Sequence, residues 1–193
     1  KLLVVGQHQV GKTSLVRGLC GLKVREKEPS TDGIQINRET LKVRVKAANA
    51  DVQSGLTVKL VLWDFGGQPV YYDTHHFFLS SNSIFVVVWD VRDSLDESKV
   101  QYWLEAIRAR AGKMSPIILV GTHLDRVEGD QEELSCRLME EIKLLKKRFP
   151  GIRGHFLCST SSANEMTQLK DRLGSIAYEM LSTRPQVPER FLT

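Results

Sequence analysis

Near the start of the chain the stretch GQHQVGKT, Gly6 to Thr13, follows the short apolar run LLVV, Leu2 to Val5. It fits G-x-x-x-x-G-K-[ST] in full. Two glycines five positions apart let the backbone turn so tightly that successive N–H groups point at one spot. A helix that starts just after them adds the positive end of its dipole. Strand, loop and helix together form a cradle for the phosphates of a nucleoside triphosphate. Gly6, Gln7, His8, Gln9, Val10, Gly11, Lys12, Thr13 and Ser14 are therefore candidate nucleotide-binding residues. Lys12 suits the β- and γ-phosphates, and the Thr13 hydroxyl suits a Mg²⁺ ion.

The rest of the chain alternates strands and helices. Apolar or alternating runs predict strands over Leu2–Val5, Ile34–Ala47, Thr57–Phe65, Ile84–Asp90, from Pro116 toward Asp125, and over His155–Thr160. Helical spacing appears over Thr13–Leu22, at Val100, Trp103, Leu104 and Ile107, at Leu134, Leu138, Ile142 and Leu145, and at Leu169, Leu173, Ile176 and Met180. Arg25–Gly33 is polar with Pro and Gly and reads as loop, and Asn49–Gly55 as a turn. The fold class is α/β, with a mostly parallel sheet and one antiparallel hairpin. Arg184–Phe191 carries two prolines and reads as a linker.

With 193 residues the chain fits one domain, and no apolar run approaches the ~18 residues of an integral membrane segment. It does not begin with methionine, which reads as a piece of a longer protein, and no leader pattern precedes the first strand. Cys20, Cys136 and Cys158 are scattered and odd in number, as reduced thiols of a cytoplasmic protein are. The net charge is +4, and the densest basic run, Lys143 to Phe149, reads as a solvated helix end rather than a nucleic-acid surface. His75 and His76 are adjacent, so one packed and one exposed ring is expected rather than a metal pair. Trp63, Trp89 and Trp103 are expected in the core.

Two further stretches carry chemistry. LVLWDFGGQ, Leu60 to Gln68, is an apolar strand ending in Asp, which sets Asp64 near the metal. Gly67 can offer its N–H to a γ-phosphate, and the Gln68 amide can orient an attacking water. GTHLD, Gly121 to Asp125, decides the base. A carboxylate accepts two N–H bonds from the guanine edge, and adenine offers no matching pair, so Asp125 points to guanine.

These motifs, in this order, resemble the Ras-like small GTPases. More narrowly, the chain resembles the Roc domain of the Roco family, which includes the leucine-rich-repeat kinases. The narrower marks are THLD in place of N-K-x-D, HHFFLSSNSIFVVVWD, WLEAIRARAGKMSPIILVGTHLD and VPERFL. The resemblance implies a Ras-like G domain with a six-stranded mostly parallel sheet and helices on both faces, over residues 1–183. Residues 184–193 would lead toward a following COR domain absent from this chain. It implies a switch I threonine on Mg²⁺ and the γ-phosphate, with Thr31 the best match and Ser30 the competitor. It places the last base-contact element on Cys158, Ser159 and Thr160, where the Ser159 N–H meets the guanine oxygen. Thr122 stands for asparagine and keeps a hydroxyl for the P-loop, and His123 stands for the lysine that covers the base. His8 stands for a glycine and should crowd an arginine finger inserted by a partner. The implied function is Mg²⁺-dependent GTP hydrolysis, slow without a partner, with Lys12, Thr31 and Gln68 catalytic. GTP and GDP are the ligands, and homodimerisation is implied through the Roc–COR unit. The alternatives are a GTP-holding interaction module with negligible hydrolysis and, against Asp125, a P-loop ATPase.

Overall fold

The structure is a computed structural model that describes residues 1–25, 28–45 and 56–183. β1 (Leu2–Gly6) leads through the P-loop into α1 (Lys12–Leu19). β2 (Ile34–Val45) and β3 (Leu56–Phe65) follow as an antiparallel pair, with an irregularity in register between Ile36 and Thr40. Short helical turns from Pro69 to Phe78, with α2 (Tyr72–His75) among them, lead to β4 (Ile84–Asp90). Then come α3 (Val100–Ala111), β5 (Ile117–Thr122), α4 (Gln131–Arg148), β6 (Ile152–Leu157) and α5 (Ala163–Ser182). The six strands lie in the order β2-β3-β1-β4-β5-β6, and every pairing except β2–β3 is parallel.

Strand alternation divides the core between the two faces of the sheet. Leu2 and Val4 of β1 pack with Leu15 and Leu19 of α1 and with Leu169, Leu173 and Ile176 of α5. Leu3 and Val5 pack on the other face with Trp103, Leu104 and Ile107 of α3 and Leu138 and Ile142 of α4. β1, β4 and β5 are buried along their whole length, as strands covered by helices on both faces must be. Trp89 and Trp103 are fully buried, and Trp63 is half-buried under Phe78. Among the described residues, no helix is long and apolar enough to cross a membrane.

Several boundaries differ from those expected. α1 stops at Leu19 rather than Leu22, because Gly21 turns into the left-handed region at φ 71° and the Arg17 guanidinium holds the Lys23 carbonyl. β6 starts earlier and ends earlier, so Cys158, Ser159 and Thr160 belong to the loop before α5. After Thr122 the chain forms a 3-10 turn, Leu124–Arg126, not more strand. Ala47, the turn over 49–55 and the linker from 184 lie outside the described residues. The basic run closes α4 with Lys146, Lys147 and Arg148 in its last turn, while Phe149 is buried.

His75 is the packed member of the histidine pair. It is buried between Phe65, Tyr71 and Trp103, while His76 is half-buried beside the Tyr102 hydroxyl. Neither nitrogen of His75 makes a hydrogen bond of ordinary geometry. Burial, together with the positive charge of Lys12 and His76, lowers its pKa to about 4, against the opposing pull of the Gly33 carbonyl. The unfolded chain thus binds a proton between pH 6.5 and about 4 that the folded chain refuses. Stability is full above pH 6.5 and falls toward pH 4 by an amount on the order of 3 kcal/mol. His75→Phe should remove that part of the pH dependence, read by urea unfolding at pH 7 and pH 5; an unaltered difference would refute it.

Candidate nucleotide-binding site

Functional side chains leave the carboxyl ends of β1, β3, β4 and β5, where a parallel sheet opens its crevice. At the first of these ends Gly6 comes so close to the Val88 carbonyl of β4 that any Cβ would overlap it. Gly11 sits at φ 79° as the N-cap of α1. Between them Gln9 takes φ 63°, a left-handed conformation costly for a residue with a side chain. The loop curls around Lys12, whose Nζ donates to the Gln7 carbonyl at 2.7 Å. Lys12 is only 6% exposed, and burial lowers its pKa to about 8 although Asp64 pulls the other way.

Asp64, one residue before the end of β3, is 1% exposed. Its Oδ2 accepts from the Thr13 hydroxyl at 2.7 Å and lies 3.4 Å from that of Thr31, while the two hydroxyls are 3.0 Å apart. Its Oδ1 has no hydrogen-bond partner. Burial raises the carboxyl above the usual range despite Thr13, Lys12 and Thr31. Three side chains thus offer only hard oxygen donors, one of them orphaned, a set that fits Mg²⁺. The two switch I candidates separate here. Thr31 joins this cluster, whereas the Ser30 hydroxyl accepts from Gln68 Nε2 at 2.9 Å.

Gly67 lies against the P-loop, where a Cβ would overlap both the Gln7 carbonyl and Lys12 Nζ. The Tyr72 hydroxyl donates to the Gly67 carbonyl at 3.3 Å and ties this turn to α2. Thr122 is fully buried, with its hydroxyl 2.7 Å from the Val10 carbonyl and 3.1 Å from that of Trp89, so it joins β5 to the P-loop.

A cavity of about 790 Å³ opens over these elements. His8, Gln9, Gly11, Lys12, Thr13, Ser14, Thr31, Gly67, His123, Asp125, Ser159 and Thr160 line it. Gly6, Gln7, Val10 and Thr122 shape the loop from behind. Asp64 faces an adjoining hollow shared with Thr13 and Thr31. Gln68 touches Ser30 beside the cavity and does not line it.

Two expectations need correction. Cys158 packs into the core rather than the cavity, and burial, reinforced by Glu165 and Asp125, pushes its thiol up to about 12. The Ser159 N–H, read as a donor to the guanine oxygen, donates instead to Glu165 Oε2 at 2.8 Å. Glu165 stands in the first turn of α5 and folds back over the loop, while its own N–H faces the Ser162 cap. Sequence reasoning missed Asp90, at the end of β4, and Arg92, which lines the cavity. The signal was present, since IFVVVWD ends in an acid at a strand terminus just as LVLWD does.

Comparison with known proteins agrees with this geometry. The family described as "Ras of Complex, Roc, domain of DAPkinase" matches residues 1–125. The chain belongs to the Roc family. Similar proteins include the "Probable serine/threonine-protein kinase pats1" of Dictyostelium discoideum, 34% identical over 100% of this chain and 6% of that relative. The "Leucine-rich repeat serine/threonine-protein kinase 1" of Caenorhabditis elegans is 30% identical over 98% of this chain and 8% of its own length. The Roc chain thus spans less than a tenth of either relative. A solved structure, "Structure of methanosarcina barkeri Roco2 RocCORdC bound to GDP", superposes with TM-score 0.67 at 29% identity, covering 92% of this chain and 48% of that one.

The closeness of Gly67 to the P-loop makes a direct prediction. Gly67→Ala should cost about 2 kcal/mol of folding stability by overpacking. It should also push the turn Gly66–Gln68, which stands where Ras-like proteins have switch II, off Lys12. Thermal unfolding of the domain reads the first effect, and an unchanged midpoint would contradict so close an approach.

Proposed function

We propose that this Roc domain binds GTP with Mg²⁺ and hydrolyses it to GDP and phosphate. The observation that carries the proposal is the convergence of Thr13, Thr31 and an orphaned, buried Asp64 carboxylate beside the buried ammonium of Lys12. Thr13, Thr31 and Asp64 would hold the ion, Asp64 through water. When bound, Mg²⁺ would neutralise charge on the phosphate oxygens.

The chain's own residues supply the rest. Lys12 exchanges the Gln7 carbonyl for phosphate oxygens, which stabilise its buried charge. The P-loop N–H groups from Gly6 to Ser14 surround the phosphates, and Gly67 meets the γ-phosphate. Asp125 accepts the paired N–H groups of guanine, and Ser159 and Thr160 close the base end. Gln68 has committed its amide N–H to Ser30, which leaves Oε1 to accept from the attacking water. Loss of the γ-phosphate removes what Thr31 and Gly67 hold, so both switches relax. Chemistry of this kind is positioning and charge stabilisation, and without a partner a rate of about 10⁻⁴ to 10⁻² s⁻¹ is expected.

The domain occupies residues 1–183, and 184–193 lead toward a COR domain of the same parent chain. The similar solved structure, a RocCOR protein bound to GDP, supports both the nucleotide and this partner. Val70 and Phe77, 72% and 84% exposed beside switch II, give such a partner an apolar surface that moves with the switch. Homodimerisation through that unit is part of the proposal. A cytoplasmic setting, in which Cys20, Cys136 and Cys158 would stay reduced, is part of the proposal.

Single-turnover hydrolysis of GTP with Mg²⁺ tests the proposal. Gln68→Leu should be slower by about 100-fold with unchanged GDP affinity. A rate per molecule that rises with protein concentration would add dimerisation to catalysis. GTP that stays bound and intact in both proteins would make the domain a GTP-holding module instead. A second expectation concerns His8, which lines the cavity over the γ-phosphate end. Its ring blocks an arginine finger in trans, so His8→Gly should gain stimulation by an arginine-donating activator, measured as turnover with and without that protein. Equal insensitivity in both forms would refute the block.

A further inference from the structure

Behind the base end of the cavity lies a carboxylate that belongs to none of the nucleotide motifs. Asp90 ends β4 at 5% exposure. Its Oδ1 accepts from the Arg92 main-chain N–H at 3.0 Å and from Arg92 Nε at 2.9 Å. Its Oδ2 accepts from Arg92 Nη2 at 2.6 Å and lies 2.8 Å from His123 Nδ1. An ionised carboxylate only accepts, so Nδ1 carries the imidazole proton. The ring is then fixed in orientation, and its Cε1–Nε2 edge lies over Gly11 of the P-loop. His123 holds this place from φ 61°, a backbone conformation costly for a residue with a side chain.

Arg92 is fixed in the same way. Nε and Nη2 are committed to Asp90, and Nη1 is uncommitted among the described residues. Its side chain is about half exposed and shares the cavity wall with His123, Asp125 and Arg126.

We infer that Asp90 is a positioning residue that sets the His123 ring and the Arg92 guanidinium as two planar walls for the base and ribose of the bound nucleotide. This rests on the proposed reading that a guanine nucleotide fills the cavity. A ring and a guanidinium both present flat faces to a purine, and Arg92 Nη1 can donate to a ribose hydroxyl. Together they cover the base where the family's lysine is missing. Asp90 touches no nucleotide atom; it acts through its two partners.

The test compares two ligands by calorimetry, GDP and magnesium tripolyphosphate, which meets the P-loop but has no base. Asp90→Asn, His123→Ala and Arg92→Ala should each weaken GDP about ten-fold and leave tripolyphosphate unchanged. Asp90→Asn combined with His123→Ala should lose less than the two single losses together, because one acts through the other. Full GDP affinity in Asp90→Asn, or equal losses for both ligands, would overturn the inference. If Asp90→Asn does not fold, the two partly exposed partners decide, and unchanged GDP affinity in both overturns it. An unmutated chain that binds tripolyphosphate but not GDP would instead refute the guanine reading itself, and this inference with it.

Discussion

A lysine and an aspartate are buried near one another at the open edge of the sheet, and neither is fully satisfied. Lys12 spends its ammonium on one backbone carbonyl, and Asp64 leaves an oxygen without a partner. Desolvation costs several kcal/mol per buried ion, and mutual attraction rarely compensates in full. Both groups are accordingly shifted toward their neutral forms. The rest of the fold keeps them there. β1 and β3 are neighbours in the sheet, so the P-loop and Asp64 leave adjacent strand ends. α1 and α5 cover one face and α3 and α4 the other, so the two side chains can face only the cavity and the hollow beside it. An anion against Lys12 and a hard cation against Asp64 would satisfy both together. Phosphate with Mg²⁺ is that combination.

The two segments proposed as switches, around Thr31 and Gln68, are connected to this pair and to each other. Thr31 shares the hydroxyl cluster with Thr13 and Asp64, and one residue earlier Ser30 holds Gln68. The Gly66 N–H donates to the Gly33 carbonyl at 2.8 Å, so the strand end before switch II is bonded directly to the end of switch I. Beneath them Phe65, His75, Tyr72 and Trp103 form an aromatic stack that joins the turn after Gly67 to α3. A ligand that moves Thr31 therefore works against contacts reaching α3. Each step of this path is a hydrogen bond or a ring contact.

Much of this was legible in the sequence, for identifiable reasons. The P-loop is local, so its spacing alone carries its shape. The buried strands read as continuous apolar runs because helices cover both faces. Asp64 was legible because it ends such a run. The losses have a different origin. Asp90 pairs with His123 across β4 and β5, thirty-three positions apart, and no local pattern reports a pairing of that span. Cys158 looks like the end of a strand in HFLCST, yet β6 has already ended and the residue turns into the core. The Ser159 N–H is taken by Glu165, whose nearer role as an N-terminal helix acid hides its reach back over the loop. Ser30 and Thr31 could not be told apart by type, since both are hydroxyls. Only the path of the backbone turns one toward Asp64 and the other toward Gln68.

The substitution of histidine for lysine at position 123 shows how such long-range pairing alters a site. A lysine covers a base with a flexible stem and needs little support to do so. An imidazole is shorter and flat, so it serves only if something sets its plane. Asp90 does this from the end of the next strand, and Arg92 adds a second plane from the loop that follows. The left-handed backbone at His123 is the strain this arrangement carries. The β4–β5 ladder reaches Asp90 and Thr122, so the strand ends that hold both partners are paired directly with each other. In the inferred arrangement, cover of the base passes from one long side chain to two planar groups that a buried carboxylate sets. On that inference its strength would depend on the charge of Asp90 as much as on the residues that face the nucleotide.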